Sequence, residues 1–146
     1  MAKVFSIEDG NLSNQPITSS ITKTYTDIDL TFAKRPSGDV YKKSDAAAVK
    51  QAVKNILLTN YTEKPFLPKF GGNLNAFLFS LSSEFDEFEI QEAVTLAINN
   101  YEPRAKVLDV RANLQPDNYS VSVEVTFQVL STSEVVATTV SLTRLR

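Results

Sequence analysis

Residues 119–129 read YSVSVEVTFQV, and this stretch decides the fold class. Apolar side chains occupy every second position, at Tyr119, Val121, Val123, Val125, Phe127 and Val129. Successive side chains of a β-strand point to opposite faces of its sheet, so strict alternation indicates a strand with one buried and one wet face. The sequence therefore predicts a half-buried strand here.

Similar patterns lie on both sides of this strand. Residues 106–114 place Leu108, Val110, Ala112 and Leu114 on one face, and the Pro-containing segment 115–118 indicates a turn. Residues 131–134 indicate a second turn, and residues 135–145 are rich in the β-branched residues Val and Thr. We expect a small antiparallel β-meander of three strands.

Upstream of the strands, the apolar spacing changes to that of helices. A first helix over residues 44–60, capped by Ser44, carries a stripe of Val49, Val53, Ile56 and Leu57. A short second helix carries Leu74, Phe77, Leu78 and Leu81. A third begins after Ser83, packs Phe85 and Phe88 near its start, buries Ile90, Val94, Ala97 and Ile98, and ends near Tyr101 before Pro103. About three helices on one face of the meander make an α+β domain.

The chain length of 146 residues suits one domain and an arm. Residues 1–20 are polar and without a period, so we expect an extended N-terminal arm, followed by a single α+β domain over residues 21–146. No stretch approaches the roughly 20 apolar residues of a membrane-spanning helix, and the start has no secretory apolar segment. We expect no membrane partner, and a protein that stays in the cell that makes it.

Composition disfavours most catalytic chemistry. The chain has no Cys and no His, so it lacks thiolates, imidazole bases and the usual zinc ligands. We expect no catalytic residues, no metal and no cofactor, and the acidic balance argues against nucleic acid. The alternative is a lysozyme-like cell-wall hydrolase using carboxylates of the acidic segment 84–92. These acids crowd the first turns of a predicted helix, where the helix dipole favours the ionised form, so the alternative has little physical support.

Charge is divided along the chain. Eight basic residues lie between positions 33 and 69, whereas residues 70–103 contain six acids and no Lys or Arg. This division predicts either two faces for two partners or the solvated faces of two helices.

Two segments are candidates for partner binding. The last strand, if it lies at a sheet edge, offers free backbone groups to another chain's strand, or is an ordinary edge blunted by Arg144 and Arg146. The junction after the third helix holds Glu102 and Arg104 around Pro103. These charges pair with each other, pair with another subunit, or simply mark the end of the helix.

Several motifs in this order resemble the wedge proteins of contractile phage baseplates, a family that includes a type VI secretion baseplate subunit. The resemblance covers about residues 25–129. It is carried by YTDID (25–29), VKNIL (53–57), KPFLPKFGG (64–72), LF (78–79) and, as its best marker, NNYEPR (99–104), followed by the alternating strand. The first 20 residues and the loosely similar last strand depart from the family pattern.

This resemblance implies a structural protein of the virion's tail baseplate, assembled in the host cytoplasm, with other baseplate wedge proteins and the tail sheath protein as partners. It implies that the wedge core bundle binds at Tyr101, Glu102, Pro103 and Arg104. It also implies that extended sheath arms pair with the C-terminal strand, for which we name Val136, Thr138, Val140, Leu142 and Arg144.

Overall fold

The computed structural model describes residues 25–79, 87–115 and 119–144 of the chain. The elements in chain order are β1 (Thr26–Ile28), β2 (Lys42–Ser44), α1 (Asp45–Leu58), α2 (Leu74–Phe79), α3 (Glu87–Tyr101), β3 (Ala105–Gln115), β4 (Ser120–Val129) and β5 (Val135–Thr143). The predicted α+β class is confirmed. The predicted arm over residues 1–20 lies outside the described residues, as do Leu81, Ser83 and Phe85 of the predicted helices.

The main sheet is the predicted meander, in the order β3-β4-β5 with antiparallel pairing. β4 is central, and Val123 pairs with Ala112 of β3 and with Val140 of β5. The alternation of β4 is confirmed, because its buried side chains are Val121, Val123, Val125, Phe127 and Val129. Burial of one face of the central strand fixes how β3 and β5 can align on it.

Helices α1 and α3 cover the inner face of this sheet. α3 packs against β3, while α1 packs against β5 and β4. Their predicted stripes enter one hydrophobic core, which joins Val49, Val53, Leu57, Ile90, Val94 and Ile98 to the inward residues of the sheet. The outer face carries exposed side chains such as Glu124 and Thr139, so one layer of helices faces one sheet. Among the described residues, none of the helices is both long and apolar enough for a membrane span.

One predicted strand residue faces the other way. Leu108 was expected in the buried set of β3, but it is 50% exposed, whereas Val107 and Val110 are half-buried. The pairing of β3 with β4 shifts between Val107 and Asp109, which is a β-bulge with Leu108 as the extra residue. A bulge shifts the two-residue alternation by one position, so Val107 before it and Val110 after it both face the core, while Leu108 between them is exposed.

β1 and β2 form a second, two-stranded antiparallel sheet. Gln51 of α1 holds it in place, because its Nε2 donates to the Ile28 carbonyl at 2.8 Å and its Oε1 accepts from Lys43 Nζ at 2.9 Å. The predicted cap at the start of α1 is wrong in detail, since the Ser44 side chain makes no capping bond. Asp45 links α1 to the small sheet, accepting from the Tyr25 amide at 3.2 Å.

Candidate partner-binding surfaces

The junction between α3 and β3 is built around a pair of side chains from the same chain. Arg104 Nε donates to Glu102 Oε1 at 2.6 Å, and Arg104 Nη2 donates to Glu102 Oε2 at 2.6 Å. This is the two-pronged geometry in which a guanidinium matches a carboxylate. Glu102 is 3% exposed. Of the pairings left open by the sequence, the structure contains the one within the chain.

The backbone around Glu102 explains this geometry. Its amide donates to the Ile98 carbonyl at 2.8 Å as the last helical bond of α3, and its carbonyl accepts from the Ala105 amide at 3.1 Å. The chain therefore turns tightly at Pro103, bringing Arg104 back over Glu102. The Arg104 guanidinium also lies 5.3 Å from the centre of the Tyr25 ring. Hydrogen bonding to the Glu102 carboxylate raises the pKa of Arg104 above its ordinary value.

Tyr101 connects this junction to the loop between α1 and α2. Its hydroxyl donates to the Lys69 carbonyl at 2.9 Å, and its ring lies 4.8 Å from that of Phe70. The loop is closed by Gly71 and Gly72, which are buried against the end of α1. The Gly72 amide donates to the Ile56 carbonyl at 2.9 Å. The KPFLPKFGG and NNYEPR motifs thus meet in one structural unit.

Only some of the four residues predicted to bind the wedge core bundle are accessible to a partner. Glu102 is buried, Tyr101 and Arg104 are half-buried, and Pro103 is exposed. Any partner at this junction would meet mainly Pro103 and the outer atoms of Tyr101 and Arg104. Binding by these residues stays a prediction.

The last strand, β5, lies at the edge of the main sheet, with β4 as its only neighbouring strand among the described residues. The named residues Val136, Thr138, Val140 and Leu142 all face inward, where Thr138 and Val140 are buried. Arg144 follows the strand and is exposed. These side chains mostly stabilise the chain's own core.

The hydrogen bonds at the two ends of β5 fix which backbone groups face outward. The Val129 amide donates to the Glu134 carbonyl at 2.9 Å, and the Arg144 amide donates to the Tyr119 carbonyl at 2.9 Å. Both bonds belong to the register that also pairs Val123 with Val140. In an antiparallel pair, every second residue exchanges hydrogen bonds with its partner. The even-numbered residues of β5 therefore direct their amides and carbonyls toward β4.

The intervening residues of β5 point their backbone groups the opposite way. Ala137, Thr139 and Ser141 direct their amides and carbonyls toward the open side of β5, and their side chains are exposed on the outer face. No sequence signal could have selected them, because side-chain alternation alone does not reveal the hydrogen-bonding phase. Together, Ala137, Thr139 and Ser141 form the open edge of the sheet.

The acidic segment 84–92 is only partly described. Glu84 and Asp86 lie outside the described residues, while Glu87, Glu89 and Glu92 are exposed on α3. In the described part of the chain, no three acids come together as a metal site would require. Such exposure differs from the enclosed apolar site in which the catalytic acid of a glycosidase lies.

The charge division is visible on the two long helices. Lys50 and Lys54 are exposed on α1, where they line an open pocket of about 380 Å³ beside Asp29. Asp29 forms an ion pair with Lys43 at 3.2 Å. α3 carries the exposed glutamates Glu87, Glu89 and Glu92. Basic and acidic side chains thus lie exposed on different helices, which agrees with both interpretations of the charge pattern, and a partner for either face stays a prediction.

Comparison with known proteins gives consistent matches. Residues 43–134 match the family described as baseplate wedge protein gp25. The chain is 30% identical over 112 residues to the baseplate wedge protein gp25 of Enterobacteria phage T4, covering 77% of this chain and 85% of that protein.

Solved structures share the fold at lower identity. A candidate tail lysozyme from Geobacter sulfurreducens is 21% identical with a TM-score of 0.58, covering 68% of this chain and 90% of that one. A chain of the anti-feeding prophage baseplate is 18% identical with a TM-score of 0.57, covering 84% and 89%. A chain of the postcontracted pyocin R2 baseplate is 22% identical with a TM-score of 0.50, covering 82% and 99%.

Proposed function

Because this chain belongs to the baseplate wedge protein gp25 family, we propose that it starts the tail sheath by offering the open edge of β5 to a sheath strand. It is a structural component of a contractile-tail baseplate, part of the virion, and assembles with other baseplate proteins. In this proposal, the open edge of β5 binds the sheath and the junction at Pro103 binds the wedge core.

The observation that carries the sheath proposal is the direction of the backbone groups of β5. Ala137, Thr139 and Ser141 present amides and carbonyls to a side where no strand lies among the described residues. An added strand gains a ladder of main-chain hydrogen bonds that does not depend on the partner's side chains. Such a contact suits the first subunit of a polymer, because its backbone template is ready before the subunit arrives.

Removal of β5 would be a poor test. Thr138 and Val140 are buried, and α1 packs against this strand, so deletion would expose the core. A single proline is sharper, since it removes one amide and leaves the strand in place. Thr139→Pro removes an amide on the open edge, whereas Val140→Pro removes one that faces β4.

The test is sheath assembly on baseplates that carry each variant, observed by electron microscopy. Thr139→Pro should give folded protein and complete baseplates that bear no sheath. Thr139→Val, which keeps the amide, should give normal sheaths, and Val140→Pro should fail earlier, at folding. Normal sheaths on Thr139→Pro baseplates would refute the proposal.

For the wedge core, the junction at Pro103 is the proposed contact. Pro103 is exposed between two residues that hold each other, so the bend is rigid before any partner arrives. Pro103→Ser should lower incorporation into wedges while the isolated domain stays folded. Pro36→Ser is the matched control, because Pro36 is an exposed proline in another turn. Equal incorporation of both variants would place the core contact elsewhere.

The family relatives are baseplate proteins, and we infer that this chain is not an enzyme. The described acids of α3, Glu87, Glu89 and Glu92, are exposed to solvent. In this proposal, the protein works by binding other tail proteins and not by catalysis.

A further inference from the structure

An open groove of about 520 Å³ runs between α3 and β3. Three apolar side chains in its lining are far more exposed than a core position allows, namely Phe88 at 70%, Leu96 at 60% and Leu108 at 50%. Clustered apolar side chains on a surface mark binding sites more often than single ones do. The groove belongs to neither the open edge of β5 nor the side chains of the Glu102–Arg104 pair.

Each of the three side chains is exposed for a structural reason. Phe88 and Leu96 lie eight residues apart on α3, off the buried stripe of Ile90, Val94, Ala97 and Ile98. Leu108 is the extra residue of the β3 bulge. Val107 and Val110 on either side of the bulge are both half-buried, whereas Leu108 and Asp109 between them are exposed. Bulges commonly redirect a side chain at functional positions, and here Leu108 lines the same groove as Phe88 and Leu96.

The charge of the groove has one sign. Its charged lining residues are Glu92 and Asp109. Asp109 pairs with Arg111 at 2.9 Å, whereas no ion pair within the described residues includes Glu92. α3 contains no Lys or Arg. An occupant with basic residues beside its apolar ones would therefore be favoured.

The shape favours a helix over a strand. The bulge at Leu108 interrupts the regular edge of β3, and an interrupted edge is a poor template for strand addition. Along α3, the lining extends from Phe88 to Asn99, which corresponds to roughly 16 Å at the helical rise. That length accepts two to three turns of a helix, whose side chains can fill the groove without backbone pairing.

We propose that this groove is the docking site for an amphipathic helix of a neighbouring baseplate protein. The helix places apolar side chains, spaced three or four residues apart, against Phe88, Leu96 and Leu108. It places a Lys or Arg beside Glu92. This contact requires neither the sheath strand nor the junction at Pro103, so it can fail while the proposed function stands.

The first test is site-specific photocrosslinking in assembled baseplates. A benzophenone amino acid replaces Leu96 or Leu108, and mass spectrometry identifies the captured segment. Leu58, an exposed leucine of α1, is the matched control position. We expect both groove positions to capture one segment with helical apolar spacing and flanking Lys or Arg, which Leu58 does not capture.

The captured segment, made as a synthetic peptide, is then titrated with the full chain. Leu96→Gln should weaken binding about tenfold, because the bound helix would no longer cover the exposed part of a leucine side chain. Glu92→Lys should weaken binding and reduce its salt dependence, while Leu58→Gln should match the unchanged protein. Capture of a second copy of this chain, capture of an acidic or aperiodic segment, or no capture from either position would overturn the proposal. So would a peptide whose affinity Leu96→Gln leaves unchanged.

Discussion

Glu102 and Arg104 hold each other through two hydrogen bonds of 2.6 Å across the turn between α3 and β3. A second pair with the same two-residue spacing, Asp109 and Arg111, makes one bond of 2.9 Å on the surface. The side chain of Glu102 is 4% exposed and that of Asp109 is 53% exposed. The chain therefore contains two arginine–carboxylate pairs of the same spacing, one with a buried carboxylate and one with an exposed carboxylate.

Loss of the buried pair should destabilise the isolated domain. Arg104→Ala leaves the Glu102 carboxylate buried without its partner, and we expect a loss of about 2–4 kcal/mol in the free energy of unfolding. Arg111→Ala should change it by no more than about 0.5 kcal/mol, because exposed pairs contribute little. Chemical denaturation of both variants measures the difference. Equal effects would mean that the buried pair contributes no more than the surface pair.

The tight loop after α1 depends on glycine at one position. A Cβ at Gly71 would collide with the carbonyl oxygen of Thr59, and the backbone there has a φ of +115°. Gly71→Ala should lower the free energy of unfolding by about 3 kcal/mol or more, since it combines steric overlap with backbone strain.

Gly38 provides the matched control for this position. It also has a positive φ, of +89°, but no atom of the described residues lies within 4 Å of an added Cβ. Gly38→Ala should therefore lower the free energy of unfolding by only about 1 kcal/mol, through backbone strain alone. Thermal unfolding of both variants separates strain from collision, and a Gly38 effect as large as that of Gly71 would contradict the steric explanation.

Asp29 should make the small sheet sensitive to acid. The Thr31 amide, which donates to its carboxylate, lowers the pKa of Asp29 below the usual 3.8, and Lys43 lowers it further. A carboxyl whose pKa is lowered on folding stabilises the protein above its unfolded pKa, and that contribution is lost as the pH falls through the folded value. Asp29→Asn should reduce the loss of stability between pH 5 and pH 2 (about the range in which carboxyls titrate). An unchanged acid dependence in denaturation experiments would argue against this role.

The purified protein should not release soluble fragments from cell walls. Its described acids on α3 are solvent-exposed, and Glu87→Gln should leave the result unchanged. A turbidity assay on purified peptidoglycan, with a known lysozyme as positive control, measures this. Lysis that Glu87→Gln abolishes would show an enzyme instead.

The parts of the fold that were predictable are those in which burial imposes a period. β4 must alternate because one face is buried, and the stripes of α1 and α3 follow the helical repeat. The two short strands β1 and β2 could not be predicted, since three residues are too few to show a period. Their position depends instead on Gln51, whose hydrogen bonds join segments about 20 residues apart.

The binding surfaces were predictable only in part. The sequence identified the junction at Glu102 and Arg104 but left the partner of each charge open. The bulge at Leu108 depends on how β3 aligns with β4, and no single strand encodes that alignment. The open edge of β5 likewise depends on the hydrogen-bonding phase set by the turn before it, which places Thr139 outward and Val140 toward β4.

Amide hydrogen exchange tests the central claim most directly, comparing the isolated protein with baseplates that carry sheath. In the isolated protein, the amides of Ala137, Thr139 and Ser141 should exchange quickly, while those of Val136, Thr138 and Val140 are protected by β4. After sheath assembly, the first three should become protected as well. Protection of Thr139 already in the isolated protein, or its rapid exchange in the assembled tail, would contradict the account.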